Sequence, residues 1–360
     1  MADKKKQTPN DQSGNGIAHG ALELPLVKVE NYNLELRSGG GFLGDKANKS
    51  AFWDFFNTLR EQLRDADEDP LGDLPKKKVS KKALEDLLSE GDGEQAGVVM
   101  GAIEDFAQEL ARVITRFLRH ESWQGTECIV IGGGMRGGRL GELVIGRTSV
   151  ILKAEGVTAD LVPIRHDPDE AGLVGASQLM PAWMFKAHDA LLAVDIGGTN
   201  IRVGVVEMKF NRSGRLKDAR AEDPAVWTHA DEAPSRTAAV ERIIEMLEKA
   251  VAVAKKRKLT LAPLIGIACP GVINADGTIE SGGQNLPGGN WESERFNLPR
   301  LVREAIPEIG GEATHVVMHN DAVVQGLSQA PFMIDAAKWA VLTIGTGLGN
   351  ASFTNHKPKD

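Results

Sequence analysis

Two stretches of this 360-residue chain are built alike, and together they limit what it can fold into. ALLAVDIGGTNIRVGVVEMKF (190–210) and WAVLTIGTGLGNASF (339–353) each run from an apolar strand through a glycine-rich turn into a second strand. Glycine lets a backbone approach a ligand without Cβ hindrance. Exposed amides at such turns can surround phosphate oxygens, and the Thr199 and Thr346 hydroxyls add donors. Asp195, near the end of the first strand, can hold the hydration shell of Mg²⁺ beside those phosphates. One glycine turn alone is often only a tight hairpin. Two in one chain, each behind an apolar strand, point to a phosphate-handling protein. Neither has the Gly-x-x-x-x-Gly-Lys spacing of a Walker loop, and GGGMRGG (132–138) lacks Rossmann spacing.

The remaining composition excludes several classes. The net charge of −8 and the pI of about 5.6 argue against a general nucleic-acid binder. The basic runs Lys4–Lys6 and Lys76–Lys78 are short and flanked by acids, so they read as solvated surface. Cys128 and Cys269 are far apart and make neither a disulfide framework nor a zinc spacing, which suits a reducing cytoplasm. No apolar run reaches about 18 residues, and the first residues lack the apolar segment of a signal peptide. The expectation is a cytoplasmic protein with no membrane contact and no nucleic-acid partner.

Along the chain, residues 1–13 read as a disordered tail, and 355–360 look similar. Alternation between 17 and 37 suggests strands, and 51–66 has helical spacing. A charged loop is expected over 67–82, then a short helix from 81 to 91. The clearest long helix is 98–120, followed by a buried strand at 128–134 that ends in glycines. A further helix is expected over 169–180. After 190 the pattern restarts, with a helix at 235–257 and strands at 264–271 and 315–321. Strands and helices alternate throughout, which makes the class α/β.

With these residues in view, the chain resembles the ROK family of sugar kinases, of the actin-like ATPase superfamily. Asp195-Ile196-Gly197-Gly198-Thr199 matches that family's DxGGT phosphate hairpin, and GIACPG (266–271) its G-x-x-x-P-G strand end. Asn285-Leu286-Pro287-Gly288 through Trp291 is similar to its sugar-side loop, and Asn320-Asp321 to its strand-end pair. Gly345-Thr346-Gly347-Leu348-Gly349 matches the second phosphate hairpin. The motifs that follow this hairpin in the family stand at the front here. Asn15-Gly16-Ile17-Ala18 resembles an N-G-x-A turn, and Glu23-Leu24-Pro25-Leu26 an E-x-G-H sugar motif. The long helix, the glycine triplet Gly132, Gly133 and Gly134, and the closing Ala171–Ala176 segment come next. The pattern is complete but rotated, as in a circular permutant cut after the second hairpin.

The resemblance implies a two-domain actin-like ATPase (ribonuclease H-like) fold, with mixed sheets flanked by helices, circularly permuted. Residues 14–186 and 322–355 would form the larger domain and 187–321 the smaller. The implied activity transfers the terminal phosphoryl group of ATP, or of another donor such as polyphosphate, to a hexose, glucose foremost. Asp321 would be the base; by position alone, an N-cap for the next helix is an equal reading. Asn320, Asn285, Glu23 and Gly271 would hold the sugar. Gly197, Gly198, Thr199, Asn200, Gly345, Thr346 and Gly347 would hold phosphates, and Gly132, Gly133 and Gly134 the adenosine. Mg²⁺ would sit at Asp195 through water. A homodimer is compatible with the resemblance. Two departures stand out. Leu26 takes the place of the family's histidine, with His19 nearby, and the cysteine-rich zinc loop of many members is absent, so no structural zinc is expected. The alternative is a catalytically degraded sugar-binding or regulatory protein. Leu26 speaks for it; intact Asp321 and both turns speak against. The rotated order also predicts that residues near 17–27 pair antiparallel with the strand at 350–353.

Overall fold

The structure is a computed structural model and describes residues 18–72, 79–212 and 216–357. The expected tail at 1–13, the N-G-x-A turn up to Ile17 and the basic runs Lys4–Lys6 and Lys76–Lys78 lie outside the described residues.

Two mixed sheets carry the fold. The first contains β1 (Val27–Tyr32), β4 (Cys128–Gly132), β5 (Asp160–Pro163), β16 (Lys338–Ile344) and β17 (Leu348–Asn355), in the order β1-β17-β16-β4-β5. The second contains β6 (Ala190–Ile196), β7 (Ile201–Phe210), β8 (Leu216–Ala221), β10 (Leu261–Cys269) and β15 (His315–Asn320), in the order β15-β10-β6-β7-β8, with β9 (Ala225–Trp227) also on β7. Short hairpins lie outside them: β2 (Arg37–Ser38) with β3 (Gly41–Phe42), β11 (Val272–Ile273) with β12 (Ile279–Ser281), and β13 (Glu308–Ile309) with β14 (Glu312–Ala313).

The two large sheets repeat one plan. A central strand, β6 or β16, pairs antiparallel with the strand beyond its glycine turn, β7 or β17. On its other side it pairs parallel with β10 or β4. Every residue of ALLAVDI in β6 is buried, which explains its unbroken apolar run rather than an alternating one. In the second sheet β8 follows β7 and pairs with it antiparallel. In the first sheet the same place beside β17 is taken by β1, from the other end of the chain, with Val27 opposite Asn355 and Tyr32 opposite Ala351.

The antiparallel pairing expected of 17–27 is therefore found, but a few residues later. Pro25 has no amide to give a ladder, and the segment before Val27 contributes only the isolated bridge Glu23–Lys28. Helices fill both faces. α1 (Lys49–Asp65), α2 (Lys81–Glu90), α3 (Gly93–Leu118) and α4 (Gly138–Ala154) cover the first sheet, while α6 (His229–Glu232), α7 (Arg236–Lys256) and α8 (Leu298–Ala305) belong with the second. α3 starts earlier than its apolar periodicity suggested because Asp92 and Gln95 form a reciprocal capping box there. The charged loop is not loose in its described part: Asp69 accepts from Arg60 and Arg64 at 3.0 and 2.9 Å.

Between the sheets lie α5 (Ala171–Gly175) and α9 (Asp321–Leu327), in one apolar cluster with Val130 and Val341 of the first sheet and Leu191 and Ala193 of the second. Their approach depends on missing side chains. A Cβ on Gly175 would lie 1.7 Å from the Val324 carbonyl oxygen, and one on Gly172 would lie 2.4 Å from the Asp195 carboxyl carbon. α5 is shorter than the expected 169–180 helix. It tightens to a 3₁₀ turn over Ala176–Gln178 ahead of Pro181, whose ring disfavours helical backbone before it.

Candidate active site

Both glycine turns open on one cavity of about 500 Å³ between the sheets. The Thr199 and Thr346 hydroxyls are 3.0 Å apart, although 147 residues separate them in sequence. Each turn is closed by its own backbone bond, from the Gly197 amide to the Asn200 carbonyl at 2.8 Å and from the Gly345 amide to the Gly347 carbonyl at 3.0 Å. Outside supports fix them further. The His229 ring meets the Gly197 carbonyl at 2.8 Å, and the Lys49 amide, at the start of α1, donates to the Gly345 carbonyl at 2.9 Å. Gly198 faces Asn285: a Cβ there would lie 3.3 Å from the Cβ atoms of Asn285 and Thr346.

Two carboxylates on the cavity wall, Asp195 and Asp321, are electrically unusual. Asp195 is 2% exposed, and burial raises its pKa while Arg202 opposes the rise. Asp321 lines the cavity where β15 turns into α9. Its pKa is pushed up to about 7, chiefly by burial and then by the charge of Asp195. A carboxyl poised there can accept a proton near neutral pH, as a general base must. The cap of α9 is supplied by its neighbour. Asn320 accepts from the amides of Ala322 and Val323 at 3.0 and 3.2 Å, and it donates to the Gly271 carbonyl at 3.0 Å. Asp321 adds one bond from the Ala322 amide at 2.9 Å, and it keeps its place on the cavity wall.

The structure brings most of the expected site residues to this cavity: Asp321, Asn285, Gly271, Asp195, Gly197, Gly198, Thr199, Asn200, Gly345, Thr346, Gly347, Gly133 and Gly134. Asn320 and Gly132 lie behind the wall. Asn320 is buried, with its amide oxygen and nitrogen both used as above. Gly132 stands beside Thr343 and the amide oxygen of Gln325, each 3.5 Å from where its Cβ would be.

Glu23 is not at the cavity. Its side chain is 69% exposed and lies 3.7 Å from the His356 ring. Leu26 is likewise exposed and outside the lining. The physical reason is the position of β1. Residues 18–26 precede that strand, whereas the cavity opens at its other end. There Asn33, Leu34, Glu35 and Leu36 line the wall. Asn350 clamps this segment, accepting from the Leu34 amide at 2.9 Å and donating to its carbonyl at 3.2 Å. Asn33 is held in left-handed backbone at φ 50°, a conformation that asparagine tolerates better than most residues. Glu35, Asn350, Gln325 and Arg202 were missed in the sequence. Arg202 alone carried a signal, since it stands two residues beyond the DIGGTN turn.

His19 is partly buried and accepts from the Met318 amide at 3.0 Å, so it ties the front segment to β15 rather than standing free. Beside it, His319 donates from Nε2 to the Ala21 carbonyl and accepts the Asn320 amide on Nδ1. Burial lowers its pKa to about 4, so the ring is neutral at physiological pH. Among the described residues no cluster of three or more His, Cys, Asp or Glu could hold a metal ion. A single carboxylate such as Asp195 would suit a cation that keeps most of its water, which is the habit of Mg²⁺.

The fold is thus α/β, with two mixed sheets of one plan, helices on their faces, and a cavity closed by a glycine turn from each. Solved structures to which the chain is similar include a putative sugar kinase from Cytophaga hutchinsonii, at 20% identity and a TM-score of 0.29, over 47% of this chain and 48% of that one. Others are the ROK hexokinase from Thermus thermophilus, at 22% identity and 0.28 over 45% of each chain, and a ROK family glucokinase from Streptomyces griseus in complex with glucose and AMPPNP, at 22% and 0.29 over 47% of this chain and 45% of that. The chain spans about half the length of these relatives. No family model and no curated protein matches it. Among the described residues no helix is long and apolar enough to cross a membrane.

Proposed function

We propose that this protein is a ROK-type sugar kinase with its motifs in rotated order, transferring the terminal phosphoryl group of a nucleotide to a hexose hydroxyl. The observation that carries it is the meeting of two glycine turns at Thr199 and Thr346 on the cavity that Asp321 also lines, a carboxyl whose pKa burial pushes up to about 7. Phosphoryl transfer needs positioning, charge neutralisation and one base, and the cavity supplies groups for each. The turn amides and hydroxyls would receive the donor's phosphates. Asp321 would take the hydroxyl proton. Mg²⁺ would be held by Asp195 through water and would neutralise phosphate charge. Asn285, Gly271 and Glu35, on the cavity wall, would bind the acceptor, and Gly133 and Gly134 would admit a nucleoside.

The adjacency of β1 and β17 supports the rotation, because the equivalent strands β7 and β8 follow one another in the chain. Residues 187–321 would be the smaller domain, with 14–186 and 322–355 the larger. Leu26 no longer weighs for a degraded protein, since it lies outside the cavity. A panel of hexoses, glucose first, with ATP and with polyphosphate tests the activity. Failure to form any sugar phosphate or ADP with every pair would sink it.

Two further outcomes follow from the geometry. Turnover should rise with pH through about 7 and level off above, because the ionised form of Asp321 is the base. A profile flat between pH 6 and 8 counts against Asp321. Glu35→Gln should weaken sugar binding by about 1.5–3 kcal/mol, the worth of bonds to a charged group. Glu23→Gln should leave it unchanged, and calorimetry on both variants separates the two acids.

A further inference from the structure

Among the described residues, Lys49 and Arg202 are the cations that line the cavity. Arg202 stands directly across the β6–β7 ladder from Asp195. Its side chain is 14% exposed, and its guanidinium is shared unevenly. Nε and Nη2 reach Asp169 Oδ1 at 2.7 and 2.6 Å, whereas Nη1 stands 3.4 Å from Asp195 Oδ2. The first pair are short charge-assisted bonds; the second contact is at the long limit of a hydrogen bond. Asp169 is therefore the anchor and Asp195 the loose partner. Nη1 also borders the first phosphate turn, since a Cβ on Gly197 would lie 3.9 Å from it. Asp169 belongs to the loop beside Pro168, itself on the cavity wall.

Resting on the kinase function above, we propose that Arg202 is a catalytic residue that exchanges Asp195 for an oxygen of the donor's terminal phosphoryl group, with Asp169 as its fixed anchor. A guanidinium suits this exchange. It stays charged at any working pH, and its planar fork can face a carboxylate on one edge and a phosphoryl group on the other. The exchange also frees Asp195 for the hydrated cation. In the transfer the acceptor oxygen forms the new P–O bond and the bond to the donor's bridging oxygen breaks. That oxygen keeps the electron pair, and the hydroxyl proton passes to Asp321. Arg202 adds positive charge at the group being moved, which Lys49, at the second turn, does not duplicate for the first.

Calorimetry with MgATP and with MgADP, beside steady-state kinetics, tests the assignment. Arg202→Gln should lose about tenfold in affinity for MgATP, the weight of one charge-assisted bond, and leave MgADP nearly unchanged, since ADP lacks the group that Arg202 touches. Its kcat should fall by about 10²–10³ with the sugar KM little altered, as for loss of one donor to developing charge. Added guanidinium ion should restore part of the rate. Asp169→Asn should show a smaller loss in the same direction. Equal loss for both nucleotides, or a normal kcat with a lowered thermal midpoint, would make Arg202 a structural ion pair and overturn the proposal. If Arg202→Gln does not fold, Arg202→Lys keeps the charge without the fork and should still lose at least about tenfold in kcat; an unchanged rate there overturns it equally. A wild-type protein that binds neither nucleotide overturns the nucleotide donor itself, and this proposal with it.

Discussion

Asp321→Asn should fold, bind sugar and turn over about 10²–10⁴ times more slowly, the usual worth of a general base. The amide keeps the shape and can still hold a hydroxyl, but it cannot take the proton. The structure sharpens the comparison with a capping role. Asn320 supplies the main cap of α9, so Asp321→Ala should also keep most of its stability. Asn320→Ala is the variant that should lose about 1 kcal/mol. A pH signature goes with it. The folded pKa of Asp321, about 7, lies above its ordinary value of 3.8. Between those values the folded state holds a proton that the unfolded state has released, so stability falls as pH rises through this window and is fully present only below it. Asp321→Asn has no such proton to lose. Its thermal midpoint should therefore gain on the wild type from pH 5 to pH 8. A fast Asn variant would sink the assignment of the base.

Gly175→Ala should be among the most damaging single methyl additions at the described glycines. The glycine has ordinary helical backbone, so conformational freedom is not what it provides. What it provides is room: the added carbon would sit 1.7 Å from the Val324 carbonyl oxygen of α9. Backbone cannot move aside as a flexible side chain can, so α5 and α9 must part. The cost should reach about 3 kcal/mol, at or above the usual range for an overpacked core. Because α9 begins at Asp321, turnover should drop as well. Gly146→Ala, in α4 with nothing within 4 Å of the new carbon, is the control and should be neutral or slightly stabilising. Chemical denaturation of the two variants would decide it. Equal midpoints would mean that the α5–α9 contact is looser than described.

Much of the site was legible because it is built from local chemistry. The two glycine turns, the strands that lead into them, and Asp195 and Asp321 at strand ends each lie within a few residues of their own signal. The misplaced acid shows where that stops. Glu23 and Glu35 both neighbour β1, and sequence alone does not say on which side of the strand the cavity opens. Pro25 keeps the ladder from starting before Val27, and the cavity opens at the far end of β1, on the side of Glu35. Arg202 lay in plain view, next to a recognised motif. Its partner Asp169 is 33 residues away, in the loop just before α5, which packs between the sheets.

By itself, the sequence determined the α/β class and the two strand–turn–strand units, since apolar periodicity and glycine placement act over short spans. The tertiary structure decided what no short span contains. It set Thr199 against Thr346, joined the first strand to the last, and left Asn320 as the cap so that Asp321 could face the cavity. It also set the charge state of the site, because a carboxyl's pKa depends on which groups burial places around it, and those groups come from distant parts of the chain.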